Sequence, residues 1–196
     1  MTQWEVRLAE LRKPPTETYH RGSALDLINL EKSVAIVGSR NASQEGISAA
    51  RELGRKMAFE GRVVISGLAL GVDTAAFEGA LDLEGVCVAV LPCGIDIITP
   101  ASNSNLAQRI IDFGGTLFSE LPEGVPPQRH LFIHRNRLIA ALSDTIVLGE
   151  SRENGGAWHT VREGWKLNRD VFTLANDGGM TPLVNPQRGL DEFTTD

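Results

Sequence analysis

The chain has 196 residues, a net charge of −6, 42% hydrophobic residues and 22% charged residues. That is enough chain for one α/β domain with a substantial core, too little for two of ordinary size, and too apolar for a disordered protein. The negative balance excludes a protein that coats nucleic acid over its whole surface, but leaves room for a local basic groove. No apolar stretch reaches the length of a bilayer span, and the start MTQWEVRLAELRK has no apolar signal core, so a cytoplasmic address is expected.

Residues 1–32 read as a lead-in segment: a short amphipathic stretch, WEVRLAELR, followed by the turn-rich KPPTETYHRG. The core, 33–176, then alternates strand and helix. Strands are predicted at 33–38, 62–66, 86–91, 116–120, 145–150 and 171–175, and helices at about 45–60, 72–84, 103–113, 135–143 and 157–167. Strict alternation predicts a Rossmann-like, doubly wound α/β fold: a mostly parallel sheet with helices on both faces and right-handed crossovers. The tail, 177–196, is rich in Gly, Pro and Asp and reads as loop.

Three of the strand runs, SVAIVGSR, RVVISGLALGVD and CVAVLPCGID, end abruptly on a glycine and a polar or charged residue. Short, continuously apolar runs of this kind are strands buried on both faces. Their turns lie on one edge of the sheet, where helix N-termini and glycine-freed backbone gather anionic ligands.

The first turn lacks the GxxxxGK[ST] and GxGxxG patterns, so neither a P-loop nor an ordinary dinucleotide site is supported. It offers Gly38 for close backbone approach, the Ser39 hydroxyl and the planar donor fork of Arg40. It reads equally as a plain turn with a surface charge. In the second turn Gly67 and Gly71 bracket a tight loop, and Asp73 reads as a cap on the following helix.

Residues 126–144, PPQRHLFIHRNRLIAALSD, crowd Arg129, His130, His134, Arg135 and Arg137 into nine positions around Phe132. An aromatic ring among cations is how single-stranded nucleic acid is gripped, with rings stacking bases and cations holding the backbone. Asn136 can cap the helix or bond a ligand. Cys87 and Cys93 lack metal or redox spacing and read as buried thiols. His159 has no second ligand at useful spacing, so no metal and no cofactor is expected; Trp158 and Trp165, seven apart, read as one packed helix face.

VAIVGSR, SGLALGVDTAAFEGAL, LPCGIDIITPASNSNLAQRI and GGTLFSELPEGVPPQRHLFIHRNRLIAALSD, in that order, resemble the Rossmann-like core of the DNA processing protein A (DprA, or Smf) family over about residues 10–175. The resemblance implies binding of single-stranded DNA, its protection during natural transformation, delivery to the recombinase RecA, and a homodimer. It implies that Gly38, Ser39 and Arg40 form a phosphate-binding turn and that Phe132, Arg135, Asn136 and Arg137 form an aromatic–basic element.

At 153–164 the chain departs from the family, with ENGGAWHTVREG in place of a Gly-Ser-Gly run ending in Thr-Ala. GGAWHTVRE is similar to the GGxGTxxE signature of LOG nucleotide phosphoribohydrolases, with one extra residue. That resemblance implies an alternative: hydrolysis of the N-glycosidic bond of a nucleoside 5′-monophosphate, with Glu163 or, second, Glu150 stabilising the oxocarbenium ion and Arg135 or Arg137 holding the phosphate. A nucleotide-sensing domain without chemistry is the third reading.

Overall fold

The computed structural model describes residues 1–186. Its centre is an eight-stranded sheet in the order β1-β5-β4-β3-β2-β6-β7-β8. The six inner strands are the predicted apolar runs: β2 Ser33–Val37, β3 Val63–Ser66, β4 Cys87–Val90, β5 Thr116–Ser119, β6 Thr145–Leu148 and β7 Asp170–Leu174. They pair in parallel, with Val34 opposite Val64 on one side and Thr145 on the other. Every residue of β2, β3, β4 and β5 is buried, as expected of strands covered on both faces.

Alternate strand residues feed two cores. Val34, Ile36 and Val64 pack with helices α2 (Gln44–Phe59), α3 (Val72–Leu81) and α4 (Ser104–Asp112) on one face. Ala35, Val37, Ile65 and Val88 pack with α1 (Gln3–Ala9), α5 (Arg129–Leu142) and α6 (Trp158–Lys166) on the other. Phe77 and Leu138, fully buried, anchor the two layers, each worth about 1.5–3 kcal/mol of burial. Cys87 and Cys93 are free and buried, and burial pushes the Cys93 thiol up to about 11 and Cys87 higher still.

The edges are antiparallel. β1 (Tyr19–Gly22), from the lead-in, pairs with β5, and β8 (Met180–Pro182), from the tail, pairs with β7. The lead-in also supplies α1, whose Leu8 is buried and whose Arg7 donates to the Leu142 carbonyl at 3.3 Å. Helix α5 starts at Arg129, six residues before the expected 135. Its N-cap, Gln128, is extended and makes no side-chain cap, so no Ser, Thr, Asp or Asn marks the start. The basic cluster therefore lies on the first turns of the helix and not ahead of it.

Strands β2 and β6 are neighbours although β3, β4 and β5 intervene in sequence. At this seam successive connections leave in opposite directions, and crevices open beyond the strands' carboxyl ends at such points.

Candidate functional site

A cleft of about 810 Å³ opens at the β2–β6 seam, between the β2 turn (Gly38 to Asn41), the start of α5 and the segment from Ser151 to Thr160. Arg40 is exposed, and its guanidinium carbon lies 4.5 Å from the centroid of the Phe132 ring, a cation–π contact. Arg129 and Arg152, both exposed, also line the cleft, with Asn41, Asn154 and His159 adding polar groups.

The backbone contributes little to this charge. Within the β2 turn the Ser39 N–H donates to the Glu150 carbonyl at 2.7 Å, and the Asn41 N–H donates to Ser39 Oγ at 3.1 Å. At the N-terminus of α2, Ser43 accepts from the Gly46 N–H through Oγ. The Glu150 carboxylate in turn accepts from Ser43 N–H at 3.0 Å and Ser43 Oγ–H at 2.5 Å, which holds Glu150 below the usual carboxylate range. An internal carboxylate already occupies the positive end of that helix, so the cleft's attraction for anions comes from arginine side chains.

The β3 turn is a packing joint. Gly71 has φ +77°, and a Cβ there would lie 2.2 Å from the Ser39 carbonyl oxygen. Only glycine lets the two turns press together so closely. At Gly67 a Cβ would lie 2.3 Å from the guanidinium nitrogens of Arg135. Neither Gly67 nor Gly71 lines the cleft; Gly38 does, with Val72 packed beneath it.

Asp73 corrects a sequence expectation. The residue preceding α3 is Gly71, and Asp73, 5% exposed, reaches back to accept from the N–H groups of Gly67 at 3.0 Å and Ala69 at 3.3 Å. It thus satisfies the preceding loop and does not occupy the N-cap. Burial pushes its carboxyl up, against the opposing pull of Arg135 and these donors.

The basic cluster splits by helical phase. Arg129 and Phe132 face the cleft, whereas Arg135 is 5% exposed at its floor and donates to the Val90 carbonyl. Burial lowers the Arg135 pKa to about 10, although Asp73 opposes the shift. Asn136 donates to the Gly156 carbonyl at 3.0 Å and so holds the loop before α6. Arg137 lies off the cleft, paired with Glu120, and His134 joins that carboxylate at 3.6 Å.

The carboxylates of the hydrolase alternative are also elsewhere. Glu163 pairs with Lys166 at 2.6 Å and Glu150 serves Ser43; neither lines the cleft. Trp158 and Trp165 pack with centroids 6.5 Å apart, as one packed helix face, and His159 lines the cleft. Arg152 and Asn154 were missed, although their place just after β6, on the same sheet edge as the glycine turns, was a usable signal. Among the described residues no helix is long and apolar enough to cross a membrane, and no cluster of three His, Cys, Asp or Glu side chains is placed to hold a metal ion.

Protein Smf of Synechocystis is 36% identical over 172 residues, covering 86% of this chain and 43% of that protein. DNA processing protein A of Helicobacter pylori, whose structure is described for its single-stranded DNA binding mode, superposes with a TM-score of 0.80 at 30% identity, covering 89% of this chain and 78% of that one. Its Streptococcus pneumoniae counterpart superposes at 0.79, with 30% identity and 97% and 71% coverage. The chain spans between 36% and 58% of the length of the curated relatives it matches. A family model described as DNA recombination-mediator protein A matches residues 1–182, and the chain belongs to that family.

Proposed function

We propose that the chain binds single-stranded DNA in the β2–β6 cleft and does no chemistry on it. The observation that carries this reading is the Arg40–Phe132 contact, an accessible aromatic ring set among Arg40, Arg129 and Arg152 on a chain of net charge −6. Phe132 stacks a base and the three arginines hold flanking phosphates, while Asn41, Asn154 and His159 supply hydrogen bonds at the rim. The H. pylori relative, described by its single-stranded DNA binding mode, supports the ligand class. In this reading the strand passes on to RecA and the chain acts as a cytoplasmic homodimer, as the family resemblance implies.

The test is a salt-titrated binding assay that compares a labelled thymidine oligonucleotide, duplex DNA and mononucleotides. Single strands bind most tightly, and Arg40→Ala costs about 1–3 kcal/mol and flattens the salt dependence by roughly one phosphate contact. Equal affinity for all three ligands, or an unchanged slope in the variant, removes the cleft from the reading. No free base is released from a nucleoside 5′-monophosphate; release that is abolished in Glu163→Gln establishes the hydrolase instead.

A further inference from the structure

We propose that Arg135 is a positioning residue for this cleft, with Asp73 as its counter-charge, and that it contacts no phosphate. The inference rests on the single-stranded DNA reading above. In sequence Arg135 is one of several equivalent cations, but its side chain is buried, its Nε is sealed from solvent without a partner, and the end of its guanidinium abuts Gly67 while donating to the Val90 carbonyl. Only about 5% of the residue is left open, at the floor of the cleft, whereas Arg40, Arg129 and Arg152 are exposed at its walls.

What the guanidinium does reach is the carboxyl end of the sheet. It ties α5 to β4 through Val90 and packs against Gly67 of the β3 turn, whose N–H donates to Asp73. Phe132 and Arg129 stand three and six residues upstream, so both ride on the part of α5 that this anchor fixes. Asp73 stabilises the buried charge from across the Gly67 peptide, the strongest influence opposing the effect of burial on Arg135. A buried charge kept with a partner in this way holds one arrangement of its neighbours, because any other leaves it uncompensated.

Three variants separate position from contact. Arg135→Gln removes the charge, Asp73→Asn removes the counter-charge and makes the cleft more positive, and Gly67→Ala keeps both charges while its methyl displaces the flexible end of Arg135. For a labelled thymidine oligonucleotide, all three weaken binding by about tenfold and leave the salt slope at its wild-type value. A slope reduced by about one phosphate contact in Arg135→Gln, tighter binding in Asp73→Asn, or unchanged affinity in Gly67→Ala overturns the proposal.

Amide hydrogen exchange of the DNA-free protein supplies the readout that needs no ligand. Arg135→Gln and Gly67→Ala both speed exchange in the first turns of α5, and unchanged exchange there overturns the positioning role. A wild-type chain that binds no oligonucleotide, with the exchange result intact, sinks the DNA reading and leaves the anchor standing.

Discussion

The turns after β2 and β3 leave the same edge of the sheet, each begins on a glycine, and they do opposite jobs. The first presents an exposed Arg40 to the cleft, whereas the second is closed from inside by Asp73, which takes the N–H groups of Gly67 and Ala69. Each turn has two backbone donors engaged internally, in the first Ser39 N–H on the Glu150 carbonyl and Asn41 N–H on Ser39 Oγ. The difference is the side chain that follows the glycine. A glycine turn at the end of a parallel strand is thus either a ligand surface or a joint, and the side chains it presents decide which.

The contact between the two turns is most vulnerable at Gly71. Gly71→Ala forces an L residue into φ +77° and drives a methyl into the Ser39 carbonyl, so it disrupts both turns at once. The expected loss is roughly 3 kcal/mol or more, read as a melting temperature lowered by roughly 6–12 °C, with weakened oligonucleotide binding. A melting temperature within 2 °C of wild type, on the scale of about 1 kcal/mol or less, would show that the turns are not locked together.

Phe132→Ala tests the ligand-facing turn through the ring that Arg40 contacts. The ring is partly exposed on the cleft and not in either core, so the variant costs about 1–3 kcal/mol of affinity for a single strand with the salt slope and melting temperature nearly unchanged. A lowered melting temperature with normal affinity would make the ring a packing residue.

Glu150 gives a smaller, pH-dependent effect. Its folded-state pKa is depressed by the Ser43 bonds, so it contributes stability that is present above the unfolded carboxylate value and disappears as pH falls through the folded one. Glu150→Gln is therefore less stable than wild type at neutral pH, and the two acid-unfolding curves converge at the low-pH end. Curves that stay parallel at every pH would mean that the carboxylate charge does not matter to the clasp.

The smallest effect is expected at Gly156, next to α6, where a Cβ meets nothing within 4 Å. Gly156→Ala changes the melting temperature by no more than about 2 °C, the scale of a surface substitution within about 0.5 kcal/mol.

The inner strands were legible because Val34 to Val37 or Val88 to Val90 can only be buried strands of a parallel sheet. The edge strands were not: YHRG and MTP carry no apolar run, and their pairing is set by the neighbouring strand. In the cleft, Arg40 and Phe132 could be picked out, because a cation after a strand-ending glycine and a ring among cations have chemistry of their own. Arg129, Arg135 and Arg137 could not be told apart, since their exposure follows helical phase and α5 begins without a side-chain cap. Residues 187–196 of the predicted tail lie outside the described residues.

The seam between β2 and β6 has a consequence for the order of assembly. The cleft draws on stretches around residues 40, 132 and 154, and these meet only when β6 docks beside β2, a pairing of Val34 with Thr145 across more than a hundred residues. A pairing across so long a loop carries an entropic cost of closure that the docked strands must offset. The site is thus absent from any chain in which β6 is not docked, and a ligand that needs all three stretches selects molecules whose sheet is complete at this seam. Under the proposed function, a single-stranded oligonucleotide at a hundred times its dissociation constant adds about 2.7 kcal/mol to the stability of the whole domain.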